Sequence, residues 1–195
     1  MYRAVTLAFL RAGVQPSSQE ALRLLPHIEI DLREERGALR VFVNGEDVSD
    51  AIRSAEVTST VSAVAAIPQV REKLVIEQRR LALARVEEGG GVVMDGRDIG
   101  TVVFPDADVK IFLVADEVER SRRRQEEMAQ RGEKVSLEQV LSELRRRDEA
   151  DSTRAIAPLV KAHDAVEVDT TNLTIDDQIE RVLEVIKERA NLSAV

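Results

Sequence analysis

Apolar positions recur at two different periods along this 195-residue chain. Over residues 1–12 the repeat is helical, with Val5, Phe9 and Leu10 on one face, and Gly13 is placed to stop the helix. Ser17 followed by Glu20 has the spacing of a capping box and opens a short helix to about Leu25. The period then falls to two. Ile28, Ile30 and Leu32 alternate with Glu29 and Asp31, a turn follows at Glu34 to Gly37, and Leu39, Val41 and Val43 alternate again before Asn44-Gly45. That pattern predicts a small antiparallel meander of two or three strands.

Residues 49–87 return to a helical period, interrupted near Pro68, and Gly89-Gly90-Gly91 ends the second helix. Val92-Val93-Met94 reads as a short buried strand, Val109 to Val114 as a second, and Ala165 to Asp169 as a third. Between and after them lie helices from Asp116 to about Arg131, from Ser136 to Arg147, and from about Ile175 to Arg189. Ser136 and Gln139 form a capping box, and Ile175, Ile179, Val182, Leu183 and Ile186 make one apolar stripe. Strands alternating with helices predict an α/β fold: a parallel sheet with helices on both faces, carrying the small antiparallel insert.

Composition narrows the function. Hydrophobic residues make up 44% and charged residues 33%, a globular balance in a length that suits one domain. No apolar run reaches the roughly 18 residues of a membrane span, so no membrane partner is expected. A net charge of −8 argues against a sequence-independent nucleic-acid binder. Cysteine is absent, which makes a reducing cytoplasm the expected location. Of 28 basic residues only five are Lys. Arginine suits bidentate binding of phosphate or carboxylate, although helix-surface ion pairs would use it as well.

Two segments carry candidate chemistry. Asp95-Gly96-Arg97-Asp98-Ile99-Gly100-Thr101 follows the first of the three strands, at the edge where open α/β sheets bind ligands. Arg97 offers a fork for phosphate, Asp98 an acceptor, and the two glycines a close backbone approach. A strand-to-loop turn held by a structural Arg–Asp pair is the alternative. The second segment spans 116–154. There Arg120 and Arg124 are i,i+4 neighbours with Arg123 beside them, and Arg147, Asp151 and Arg154 follow on the next helix and its exit. Two such helices joined at Gly132 could close over phosphates. For most of these arginines the favoured reading from spacing alone is a solvated face in which Glu119, Glu126 and Glu127 pair with arginine. His27 and His163 have no metal-like spacing, and no G-x-x-x-x-G-K-[ST] loop occurs.

Four blocks, in order along the chain, resemble bacterial cytidylate kinases: Met1 to Val5, Ser62 to Arg71, Asp95 to Ala107, and Arg147 to Leu159. The combination of DGRDIGTVVFPDA with R-D-x-x-D-x-x-R is the specific part. The resemblance implies a nucleoside monophosphate kinase fold of the phosphate-loop type. It implies one kinase domain over 1–195, a CMP-binding insert over 20–88 and a lid over 116–154. It also implies transfer of the γ-phosphoryl of ATP, with Mg2+, to CMP or dCMP, by a monomer. By resemblance, Ser62, Arg71 and Asp98 contact the cytosine ring, and Tyr2, Arg3 and Arg97 hold the CMP phosphate. Asp151 and Arg154 contact the sugar, and Arg120, Arg123 and Arg124 lie on the lid over ATP. Arg97, Arg124, Arg147 and Arg154 take the catalytic roles, and Asp95 orders the metal through water.

Family members place a strand, the phosphate loop, a helix and a second short strand ahead of the position of Met1, and the 195 residues hold no counterpart of them. The expectation is that Met1 is an internal methionine of a longer reading frame. The absent strand is expected mid-sheet, between the strands near 92–94 and 109–114. The chain by itself is expected to be inactive. A catalytically dead CMP-binding remnant, or a gene fragment, is the alternative.

Overall fold

The computed structural model describes residues 1–35 and 37–189. The chain divides into two compact units, Met1–Val93 and Met94–Val195.

The first unit opens with α1 (Tyr2–Arg11), followed by α2 (Ser18–Leu24). Ser17 caps α2 by accepting the Glu20 backbone N–H, as its spacing predicts. The meander has three strands, β1 (Ile30–Glu35), β2 (Ala38–Val43) and β3 (Glu46–Asp47), in the order β1-β2-β3. Ile30 pairs with Val43 and Glu35 with Ala38. Arg36, in the predicted turn between β1 and β2, lies outside the described residues. The predicted Asn44-Gly45 turn forms with both residues at positive φ, 50° and 82°, the backbone that this dipeptide tolerates best.

Asp47 fixes the return of the meander. Its carboxylate accepts from the Ser49 hydroxyl and N–H and from Arg40. The Ser49 hydrogen bonds, followed by Arg40, hold its pKa down at about 2. A lowered carboxylate pKa means stability that is fully present above the unfolded-state value, near 4, and is lost as pH falls through about 2. Asp47→Asn is therefore expected to flatten the acid limb of the stability curve between pH 4 and 2. Urea melts at several pH values check this.

The helical stretch after the meander becomes a 3-10 turn (Ala51–Arg53), α3 (Ala55–Ala65) and α4 (Pro68–Glu87), with Pro68 as the first residue of α4. Proline is tolerated there because its missing N–H has no intrahelical partner to lose. One apolar core joins all these elements, from Val5 and Phe9 on α1 through Ile30 and Val43 of the meander to Val64, Val70 and Leu74.

The second unit contains β4 (Ile111–Val114), α5 (Glu117–Gln130), α6 (Leu137–Thr153), β5 (Val166–Asp169) and α7 (Ile175–Arg189). β4 and β5 pair in parallel, Ile111 with Val166 and Val114 with Asp169. This is a mixed α/β architecture with a parallel sheet and a small antiparallel one, as the alternating periods predict.

Four expectations change. The second strand, read as buried over Val109 to Val114, spans Ile111–Val114 with none of its residues buried and Leu113 57% exposed. Val92-Val93-Met94 is not a buried strand: it forms no regular element, and Val93 is 98% exposed. Three apolar residues are too few for periodicity to show burial, and an unpaired strand has no ladder to hold it. The stripe on α7 is also largely open. Val185 is buried, but Ile175, Ile179 and Leu183 are exposed, because a two-stranded sheet offers little surface to cover them. Finally, α6 runs to Thr153 rather than ending at Arg147, which puts Arg147 and Asp151 on one helical face.

Candidate functional site

In the second unit the site is built around Asp151. Its side chain is 7% exposed and lies in the last turn of α6. Arg97, 54 residues away in sequence, donates from Nε to Asp151 Oδ2 at 3.0 Å. Arg147, one turn back on α6, has its Nε 3.9 Å from the same oxygen. Arg154, the residue that ends the helix, brings Nη1 within 3.6 Å of Oδ1. Three guanidinium groups thus share one buried carboxylate.

The electrostatics follow from that imbalance. Burial, and then the like charge of Arg97, push the Arg147 guanidinium below its ordinary value; Arg124 pushes the same way, while Asp151 and Asp148 oppose them. Arg147 Nε is buried and makes no hydrogen bond among the described residues. A place with surplus positive charge and a buried donor suits an anion with several oxygens.

The loop before it supplies Arg97. Residues 92–98 are irregular, and the chain then enters a π-helical turn at Ile99–Val103, with the Asp98 carbonyl accepting from the N–H of Val102 at 2.9 Å. Asp98 is itself buried. Asp95 is exposed. At Gly100 a β-carbon would come within 3.2 Å of the Lys110 side chain, which crosses there to reach Asp164 at 2.7 Å. The close approach that Gly100 permits in this structure is therefore made by the protein's own lysine.

The three arginines of α5 separate. Arg120 Nη1 donates to Asp148 of α6 at 2.6 Å, and its Nε to the Ala115 carbonyl at 3.2 Å. Arg124 pairs with Glu127 at 2.7 Å. Arg123 donates to Glu119 at 3.0 Å and to the carbonyls of Thr170, Thr171 and Leu173, which ties α5 to the chain after β5. Arg124 contributes to the field at Arg147, whereas the guanidinium of Arg123 is taken up by Glu119, the Thr170 hydroxyl and backbone carbonyls.

In the first unit, Arg71 on α4 is 3% exposed, donates to the Ala65 carbonyl at 3.0 Å and stands 5.4 Å from the centre of the Tyr2 ring. Tyr2 and Arg71 are thus brought together across α1 and α4. Arg3 donates to the Ile52 carbonyl and to Thr58 Oγ1, both at 2.9 Å. Ser62 is half-buried near the end of α3.

The sequence matches the cytidylate kinase family model over residues 1–188. The chain belongs to the cytidylate kinase family. It is 52% identical over 190 residues to the cytidylate kinase of Geobacillus thermodenitrificans (strain NG80-2), an alignment that takes in 97% of this chain and 83% of that protein. The cytidylate kinase of Salinibacter ruber (strain DSM 13855 / M31) is 47% identical over 187 residues, 96% of this chain and 82% of the relative. That of Bacillus subtilis (strain 168) is 45% identical over 191 residues, 97% and 83% respectively. Among the described residues no helix is long and apolar enough to cross a membrane.

For a cytidylate kinase-family chain the guanidinium group around Asp151 lies in the two blocks that carry the resemblance, Asp95 to Ala107 and Arg147 to Leu159. Sequence reasoning missed Asp148 as the partner of Arg120; Glu127, named among the acidic partners of this helix, pairs with Arg124. The signals were present: Asp148 lies one turn before Asp151, and Glu127 is three residues after Arg124.

Proposed function

We propose that this chain serves a kinase that moves the γ-phosphoryl group of ATP onto CMP or dCMP, giving CDP or dCDP. The observation that carries this reading is the grouping of Arg97, Arg147 and Arg154 about the buried Asp151 in a chain of this family. In the transfer, an oxygen of the CMP phosphate bonds to the γ-phosphorus as the bond to the bridging oxygen breaks, and ADP leaves. Such a reaction needs in-line positioning and positive charge on the moving oxygens more than any covalent group. In this reading Arg97, Arg124, Arg147 and Arg154 provide that charge. Within the first unit Tyr2 and Arg3 are assigned to the acceptor phosphate and Ser62 and Arg71 to the cytosine; within the second, Arg97 is assigned to the phosphate and Asp98 to the cytosine. Asp151 and Arg154 take the sugar, and Arg120, Arg123 and Arg124 belong to the lid.

Magnesium fits this donor set in one way. Among the described residues no group of three or more His, Cys, Asp or Glu could cage a metal, while Asp95 is an exposed carboxylate. That suits an ion held mainly by nucleotide phosphates and by Asp95 through water. When bound, it neutralises phosphate charge. The reading makes the protein a cytoplasmic monomer.

Calorimetric titration tests the substrate class. CMP and dCMP are expected to bind more tightly than AMP; equal affinity for AMP and CMP would overturn the assignment. The 195 residues hold no G-x-x-x-x-G-K-[ST] loop to carry the β- and γ-phosphates. This polypeptide alone is therefore expected to turn over far below the roughly 1–100 s⁻¹ of kinases.

A further inference from the structure

The backbone of the second unit leaves ordinary geometry at Ala157, where φ is +49°. The left-handed region crowds a β-carbon against the following carbonyl oxygen, so an L-residue enters it at a cost. Among the described non-glycine residues only Asn44 shares the sign, at 50°, and its Asn-Gly turn accounts for it. Ala157 has no polar side chain to compensate, and it precedes Pro158, whose ring restricts the residue before it. Strain of this kind persists where the surroundings over-determine it, and it concentrates at functional sites.

Two hydrogen bonds hold the turn. The Leu159 N–H donates to the Asp151 carbonyl at 2.8 Å, closing the chain back onto the last turn of α6. Arg154 Nε donates to the Ala157 carbonyl at 2.6 Å. The Arg154 side chain is only 8% exposed, and its Nη1 faces Asp151 Oδ1 at 3.6 Å. A guanidinium is planar, with its five N–H groups in a fixed fork. Securing Nε on one side and Nη1 on the other sets the whole plane before any ligand arrives.

We infer that Ala157 is a positioning residue: its left-handed turn aims a backbone carbonyl that fixes the orientation of Arg154. This rests on the reading of the arginine group as a nucleotide site. Ala157 acts through Arg154 and does not itself touch substrate. Its contribution is preorganisation, since a side chain already ordered loses less freedom on binding.

The test is a double-mutant cycle on the whole chain with CMP as the probe. Ala157→Val places a branched side chain where φ must be positive, and it is expected to weaken CMP binding roughly three- to tenfold. In an Arg154→Ala background the same substitution is expected to change the affinity less than twofold. Ala157→Gly and Ala157→Asn, which accept the left-handed region, are expected to keep the wild-type affinity within about twofold. Should the valine variant fail to fold, Pro158→Ala frees the turn without adding a branch and enters the same cycle. An undiminished affinity in the valine or Pro158→Ala variant, or equal losses with and without Arg154, would overturn the inference. Failure of the wild-type chain to bind CMP would instead remove the nucleotide reading on which it stands.

Discussion

Replacing Asp151 with asparagine is expected to destabilise the second unit by about 3 kcal/mol. The substitution keeps the shape and removes the charge. Arg97, Arg147 and Arg154 then face one another with no carboxylate between them. Breaking a buried pair leaves uncompensated buried charge, which typically costs about 3–5 kcal/mol. The lower end applies here because the Arg97 side chain is 42% exposed and water screens it. Urea denaturation followed by far-ultraviolet circular dichroism measures the loss. A second readout ties it to charge: an oxyanion such as sulfate should restore more stability to the variant than it adds to the wild type. A loss under about 1 kcal/mol, with no differential effect of sulfate, would mean that Asp151 is not the counter-charge of this group.

Phe9→Ala is expected to cost about 3–5 kcal/mol and to lower the melting temperature by about 10 °C or more. Phe9 is wholly buried in the core shared by α1, α2, the meander, α3 and α4. Truncating it removes apolar contacts and leaves a void that neighbours in several different elements cannot all move to fill. Tyr2 is the only tyrosine, tryptophan is absent, and Tyr2 lies on the same helix, so tyrosine emission follows this unit directly. A change below about 1 kcal/mol would show that the core repacks around the gap.

The first unit was readable because its signals are local. Alternation at two, an Asn-Gly turn, Ser17 three residues before Glu20 and a proline at a helix start all act over a few residues. The backbone followed each of them. The capping box at Ser136 and Gln139 is formed in full for the same reason. Val92-Val93-Met94 was misleading because an apolar triplet states a preference and not a partner. The candidate site was legible as a pair of segments rich in arginine and aspartate, while the partner of each arginine was not. Arg120, Arg123 and Arg124 are similar letters on one helix. Yet the first meets an aspartate on α6, the second the carbonyls after β5, and the third a glutamate one turn on.

The amino-acid order by itself determined the periods, the caps, the turns and the motif blocks that place the chain in the cytidylate kinase family. Each depends on residues only a few positions apart, or on their identity alone. The tertiary structure decided that Arg97 crosses 54 residues to reach Asp151, and that Ala157 accepts a left-handed backbone to hold Arg154. Those outcomes turn on which charged groups the folded chain leaves near one another in a poorly solvated place, a quantity that no local spacing encodes.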